Sequence, residues 1–281
     1  MRSSEKHSQK NALVSVIVPT RNSSKTLEIC LESVKKQTYP NIEIIIVDNN
    51  SSDNSRQIAA KYGFVYVKGP ERSAQRNFGM EKSNGEYIVF LDSDIELTSR
   101  VIEECMSEVR RGSDAVIFRE IAVGEGFWAR CRELESRCVI GDDLIEAPRF
   151  CKASVLKELK GYDENITGWE DWDLALRLRQ NGFKITRVNP LTLHHESKVS
   201  LTGRTRKKYY YGKTVKTYLK KHNKVTTKQI PLFRSAYFRN WRVLARDPTH
   251  ACGFFFMKML ESSATFLGLV IATEPKINEQ Q

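Results

Sequence analysis

The chain has 281 residues, 40% of them apolar, and a formal net charge of +11. This composition excludes a disordered or collagen-like chain and is enough for a large α/β core with an appendage. The charge is uneven: residues 204–246 hold fourteen Lys or Arg and no Asp or Glu, whereas the remainder has 31 basic and 34 acidic residues, so a near-neutral body adjoins one segment suited to nucleic acid or an anionic membrane.

Residues 1–12 are polar, lack a hydrophobic signal core and read as a loose tail. Leu13 to Val18 reads as a first strand, stopped by Pro19, and Ser23 or Ser24 as the N-cap of a helix reaching about Lys36. A second buried strand, Ile42 to Val47, ends at Asp48. Asp53 follows and suits the start of a helix to Lys61. Phe64 to Val67 is a short third strand. Ser73 to Lys82 is a helix whose expected left-handed stop is Asn84-Gly85.

Tyr87 to Leu91 is an apolar run that leads directly into Asp92-Ser93-Asp94. Alternating strand and helix predicts a parallel sheet with right-handed crossovers, so the segments ending at Thr20, Asp48, Lys68 and Asp92 share one edge. Ligands bind at that edge in open α/β sheets. Two carboxylates there suit Mg²⁺ or Mn²⁺ plus phosphate, or else they only cap the following helix.

Further on, Thr98 to Arg110, Gly124 to Cys138 and Glu170 to Gln180 read as helices, the last closed by Asn181-Gly182. Ala115 to Phe118 and Phe183 to Val188 read as strands. The six cysteines form no CxxC pair and read as reduced core residues.

Four segments in this order, VSVIVPTRNSSKTLEICLESVKKQ, IEIIIVDNNSSDNS, SAQRNFGMEKSNGEYIVFLDSD and GYDENITGWEDWDLALRLRQNGFKI, together resemble a family 2 glycosyltransferase of the GT-A fold over roughly residues 13–200. The resemblance implies that Pro19, Thr20 and Asn22 line the nucleotide pocket, with Arg21 where many members carry an aromatic residue. It implies that Asp48 bonds the base, with Asp53 close behind unless it serves as a plain N-cap. Arg76 and Asn77 would face the diphosphate or sugar, the alternative for Arg76 being a surface ion pair. In the Asp92-Ser93-Asp94 stretch, Asp94 would bind the metal directly and Asp92 the ribose or sugar.

Of the pair Glu170 and Asp171, Asp171 would be the general base of an inverting transfer, although acidic residues in a first helical turn also simply complement the dipole. Asp173 would be structural. At least one of Trp169 and Trp172 would face sugar, the alternative being that they simply pack in the core. One of His194 and His195 would join the metal, since a strand turns only one of two successive side chains to the site, and His195 is the choice here.

From Arg204 the chain mixes lysines with tyrosines. A helix from Pro231 would place Arg234, Arg239, Arg242 and Arg246 within an arc of about 140°, opposite an aromatic-rich face. The apolar run Phe254 to Ala272 is long enough to cross a membrane but contains Lys258 and Glu261, which suggests a monotopic helix or one packed on its neighbour.

The expected organisation is a tail (1–12), a GT-A catalytic domain (13–203) and a basic membrane-association region (204–281). The expected activity moves a hexose, mannose for preference, from GDP-mannose or a UDP-sugar to a lipid-linked acceptor, a polyprenyl phosphate or glycolipid. The site would lie at the cytoplasmic membrane face, with Arg204 and Arg206 on the acceptor side. The alternatives are a soluble polysaccharide-building transferase and a non-catalytic nucleotide- or nucleic-acid-binding module. Nucleic acid is not expected as a partner, because no nucleic-acid-binding signature accompanies the basic segment.

Overall fold

The computed structural model describes residues 12–196, 199–229 and 234–271. The N-terminal tail and the helix start expected at Pro231 lie outside them, apart from Ala12. Strands β1 (Val14–Thr20), β2 (Ile42–Asp48), β3 (Phe64–Val67) and β4 (Tyr87–Phe90) alternate with helices α1 (Leu27–Lys35), α2 (Ser55–Ala59) and α3 (Arg72–Lys82). The order β3-β2-β1-β4 is parallel throughout, so the four carboxyl ends share one edge as the alternation predicts.

The apolar runs are continuous because both faces are covered. Val14, Val16, Val18, Ile44 and Ile46 pack with Leu27 and Leu31 of α1. The intervening Ile17, Ile45 and Val47, with Ile88 and Phe90 of β4, pack with Leu174 and Leu178 on the other side.

The second half adds β5 (Ile95–Leu97), α4 (Val101–Arg110), β6 (Ala115–Val123), α5 (Phe127–Val139), β7 (Phe150–Lys152), α6 (Ala153–Glu158), α7 (Glu170–Gln180) and β8 (Ile185–His195). The sheet continues from β4 as β7-β6-β8-β5, with β7 antiparallel to both its neighbours. This insertion brings the residues just before β7 alongside the end of β4.

Two local expectations are corrected. Strand β1 does not stop at Pro19 but pairs with β2 through Thr20. Proline is tolerated because its missing N–H faces the β4 side, where pairing with β1 ends at Ile17 and Phe90. Gly85 is not in the left-handed region, since helix α3 ends at Ser83 in an extended conformation. Glycine is needed there for closeness: a Cβ would lie 2.4 Å from Ser15 Oγ and 2.7 Å from Ser15 N. Gly182, by contrast, has φ +76 and closes α7 as expected.

The basic segment begins at Leu201 as α8 (Leu201–Gln229), kinked at His222, followed by α9 (Ser235–Arg239), α10 (Trp241–Ala245) and α11 (Pro248–Ile271). The single helix expected over 231–246 is therefore broken. Asn240 leaves helical geometry, and its side-chain amide donates to Cys138 O of α5 at 2.8 Å. Ala236 and Tyr237 turn into the core, while Phe238 and Trp241 stay exposed.

Helix α8 joins the catalytic body. Trp169 Nε1 donates to Tyr211 O (3.0 Å), and the Thr214 hydroxyl donates to Thr167 O (2.8 Å). Helix α11 lies on α8 at a close crossing, where a Cβ on Gly212 would meet Thr265 O at 2.3 Å and one on Gly268 would meet Tyr209 O at 2.2 Å.

Candidate active site

The edge formed by β1, β2 and β4 carries the predicted nucleotide residues. Asp48 is fully buried; its Oδ2 accepts from the Ser51 N–H (2.9 Å) and Arg56 Nε (2.7 Å), while Oδ1 has no partner among the described residues. Thr20 Oγ1 is likewise buried and unpartnered. Buried polar atoms are rarely left unsatisfied, so these two are poised for a ligand. Asn22, at φ +50, ties the loops together by accepting from the Ser52 N–H (2.8 Å). Asp53 accepts from the backbone N–H groups of Ser24 and Ser55, which makes it a tether between loops. Ser93 Oγ donates to Ser23 Oγ at 2.8 Å.

Beyond β4 three carboxylates converge on one guanidinium. Arg76 is fully buried and donates to Asp92 Oδ1 (2.7 Å) and Asp171 Oδ1 (2.9 Å), with Glu170 Oε1 at 3.7 Å. It is neither a surface ion pair nor a free phosphate ligand, because helix α3 points it under the site, where the carboxylates engage it. Asn77 also turns away from the expected position. Its amide clasps the Tyr162 backbone in both directions (2.8 and 2.9 Å) and donates to Glu164, so it anchors the loop before α7.

Two arginines that sequence reasoning missed complete the cluster. Arg149 lies 3.2 Å from Asp92 Oδ2 and 3.5 Å from Asp171 Oδ2, and Arg72 lies 3.0 Å from Glu170 Oε1. Burial would raise the Asp92 carboxyl, but Arg149 and Arg76 hold it well below the usual carboxylate range. Asp171 is treated in the same way: burial raises it, and Arg76 and then Arg149 win. The Tyr162 hydroxyl donates to Asp171 Oδ1 at 3.2 Å. Asp173 is buried against His222 and Lys221 below the site, as befits a structural group.

The histidine choice is corrected. His194, not His195, faces Asp94, with Nε2 at 3.2 Å from Asp94 Oδ2. His195 donates its backbone N–H to Asp94 O and sends its ring to the other side of β8, to Glu96 at 2.8 Å. Strand alternation thus operates as expected, but in the opposite phase.

His194 Nδ1 is held by Glu120 Oε1 at 2.7 Å. A carboxylate on one imidazole nitrogen with the other aimed at a ligand is the arrangement that supports metal-binding histidines. Burial opposes charging of His194, but Glu120 and Asp94 prevail and push its pKa up to about 10. Among the described residues no cluster of three or more His, Cys, Asp or Glu forms a ready cage. Asp94 and His194 still fit a divalent cation that completes its shell with water and phosphate oxygens, as Mg²⁺ usually does and as suits Mn²⁺.

Asp171 opens onto a cavity of about 480 Å³ that both Trp169 and Trp172 line. Their indole N–H groups are bonded to Tyr211 O and Ile145 O. Arg204 does not reach it as an open acceptor group, since it is held by Glu261 (2.6 Å) and Glu196 (3.4 Å); Arg206 is exposed on α8.

The family description Glycosyl transferase family 2 matches residues 15–154. Glycosyltransferase GlyG of Streptococcus pneumoniae is 38% identical over 114 residues, covering 37% of this chain and 38% of that protein. A Campylobacter jejuni enzyme named GalNAc(5)-diNAcBac-PP-undecaprenol beta-1,3-glucosyltransferase is 34% identical over 110 residues, 35% of each chain. These matches span little more than a third of either relative.

The mannosyltransferase PcManGT of Pyrobaculum calidifontis, solved with GDP-Man and Mn²⁺, superposes with a TM-score of 0.66 at 15% identity, over 94% of this chain and 88% of that one. Residues 1–349 of S. aureus TarS, solved with UDP, superpose with a TM-score of 0.55 at 16% identity, over 92% and 90%. The sheet order, the carboxylate cluster at the end of β4 and the matched segment agree: the chain belongs to glycosyl transferase family 2 and has a GT-A-like fold.

Proposed function

We propose that the chain transfers a hexose, with inversion, from a nucleotide sugar to a lipid-linked acceptor at the cytoplasmic face of the membrane. The observation that carries this reading is the convergence of Asp92, Glu170 and Asp171 on Arg76, beside Asp94 and between the nucleotide edge and the cavity. The donor base would donate an N–H to Asp48 Oδ1, which is buried and unpartnered. Mannose is the first hexose to test, because PcManGT was solved with GDP-Man and Mn²⁺. Asp94 and His194 would hold Mn²⁺ or Mg²⁺ against the diphosphate; when bound, the ion supplies Lewis-acid stabilisation of the departing nucleotide. Asp171, kept ionised by its arginines and oriented by the Tyr162 hydroxyl, would take the proton of an acceptor hydroxyl as that oxygen attacks the anomeric carbon. An acceptor phosphate oxygen, already ionised, would not need this proton transfer.

Asp94→Ala is expected to abolish transfer and to remove the Mn²⁺-dependent gain in nucleoside diphosphate affinity, since it deletes an oxygen ligand. Calorimetry with and without Mn²⁺ tests this, and an undiminished metal-dependent gain in the variant would remove Asp94 from the role.

The lipid assignment draws on α11 and on the undecaprenol-linked substrate in the name of the C. jejuni relative. Helix α11 is long and apolar enough to cross a membrane by length and composition, yet one face of it packs on the body. Lys258 pairs with Glu135 and Glu261, so the charges within the helix are satisfied internally. The outward face shows Phe266 (63% exposed) and Val270 (63%), and α9 and α10 show Phe238 (69%) and Trp241 (58%) beside exposed Arg239, Arg242 and Arg246. Apolar anchors with basic flanks fit a monotopic association with anionic lipid, to which each near-surface Lys or Arg contributes ~1 kcal/mol.

The double substitution Phe266→Glu with Val270→Glu is expected to weaken flotation with anionic vesicles at least about tenfold, and high salt to weaken wild-type flotation. Truncation at Lys228 is a poorer test because it strips α11 from its seat on α8. Wild-type protein that stays with the unbound fraction at low salt would favour the soluble, polysaccharide-building alternative.

A further inference from the structure

The cavity beyond Asp171 has both a polar and an apolar wall. Its polar wall includes Arg149, Lys208 and Arg234. Its apolar wall includes Val215 and Leu219 of α8 and Phe266 and Leu269 of α11. Phe266 belongs both to this wall and to the exposed apolar face of α11, so the apolar wall of the cavity meets that face.

The wall charges are not equally satisfied. Glu135, Glu146 and Glu261 are already ion-paired with Arg132, Arg187 and Arg204 respectively. Two cations are different. Among the described residues the Lys208 ammonium has no carboxylate within ion-pair distance, although Glu261 and Glu135 lie near enough to act on it, and it lies over the Tyr211 ring at 5.9 Å. Burial pulls its pKa down to about 8, with Glu261 opposing the fall. Arg234 lies over the Trp172 ring at 5.5 Å, and its Nε is buried with no hydrogen-bond partner among the described residues. A buried cation without a direct ion-pair partner is costly, and an anionic ligand would offset that cost.

We propose that this cavity is the acceptor subsite, that Lys208 and Arg234 bind the phosphate of a phosphate-bearing lipid acceptor, and that Val215, Leu219, Phe266 and Leu269 take the first carbons of its chain. The inference rests on the lipid-acceptor reading above and deepens it. It also explains two basic residues that neither the carboxylate cluster nor the basic surface of α9 and α10 uses. A guanidinium over an indole, with its Nε unpartnered, keeps a donor for phosphate oxygens.

The test uses the full chain and three probes: a short-chain polyprenyl monophosphate below its aggregation concentration, the corresponding alcohol, and inorganic phosphate. Quenching of tryptophan fluorescence reports binding, because Trp172 lies beneath Arg234. The monophosphate is expected to bind at least about tenfold more tightly than either the alcohol or inorganic phosphate. Lys208→Met and Arg234→Gln are each expected to weaken it about tenfold or more, and Lys208→Arg to restore most of the loss. Methionine fills the lysine volume while removing an unpaired buried charge, so it should not cost the fold.

Alcohol binding as tight as the monophosphate would overturn the phosphate subsite, and equally tight inorganic phosphate would overturn the apolar half. Unchanged monophosphate affinity in both variants, while wild type still glycosylates a lipid-linked acceptor, would overturn this subsite and leave the lipid reading standing. A wild-type chain that neither binds the monophosphate nor turns over any lipid-linked acceptor would overturn both.

Discussion

Asp171→Asn is expected to leave donor binding nearly intact and to lower turnover on a hydroxyl acceptor by roughly 10²–10⁴-fold, the range for a lost general base. The side chain is suitably placed: a quarter of it is exposed, it opens onto the acceptor cavity, and it is fixed by Arg76 at 2.9 Å and by the Tyr162 hydroxyl at 3.2 Å. Its folded pKa is depressed, so the carboxylate is ionised throughout the neutral range. Activity governed by this group is therefore lost only as pH falls through a value below the ordinary ~3.9 of aspartate. The same depression makes Asp171 a weak base before the transfer begins, which suits a proton that moves late, when the attacking oxygen has become acidic.

The measurement is steady-state transfer to a hydroxyl acceptor and to a phosphate acceptor, with nucleotide affinity determined separately. Wild-type rates with the hydroxyl acceptor would remove Asp171 from this role. Loss with the hydroxyl acceptor but not with the phosphate acceptor would identify a nucleophile that arrives ionised.

Much of this site was legible in the sequence because the residues that build it are local to strongly patterned elements. The apolar runs into Asp48 and Asp92 declare buried parallel strands, and parallel strands put their carboxyl ends together. The Glu170-Asp171 pair opens a helix whose apolar positions, Leu174 and Leu178, fix which side meets the sheet. What the sequence did not yield depends on long-range pairing. Arg149 precedes a three-residue strand, and nothing local says that this strand inserts antiparallel between β4 and β6, which delivers the guanidinium to Asp92. The phase of β8 was equally hidden: alternation says that one of two histidines faces the site, but only the register against β5 and β6 says that it is His194.

Asn77, placed by the resemblance, and Gly85, placed by the turn pattern, have other surroundings in the structure for a related reason. Each is required by one particular neighbour, the Tyr162 backbone and Ser15. The basic helix failed because Asn240 finds a partner on α5, a contact that no helical wheel contains.

Arg76→Met is expected to cost about 3–5 kcal/mol of folding stability at neutral pH, the range for removing one partner of a buried ion pair. Arg76 has no exposed surface and meets Asp92, Asp171 and Glu170 at once. Without it Arg149 and Arg72 remain, at 3.2 Å from Asp92 and 3.0 Å from Glu170, so the cluster is under-neutralised but not stripped. The loss should therefore fall towards the lower end of that range.

Its pH dependence separates charge from packing. In the wild type the depressed carboxylates Asp92 and Asp171 contribute stability that is present above their unfolded pKa of about 3.9 and disappears as pH falls through their folded values. In the variant the folded pKa values rise, and that contribution shrinks. Wild type and variant should differ by a steady amount from pH 7 down to about pH 4 and converge only as pH falls below that, through the folded values. Urea midpoints measured from pH 7 to well below pH 4 provide the comparison. A difference that stays constant with pH would mean that Arg76 matters as packed volume, and equal midpoints at pH 7 would mean that the carboxylates do not depend on it. Convergence would establish that the site holds its carboxylates ionised and close together through one buried guanidinium, which is the condition Asp171 needs before any acceptor arrives.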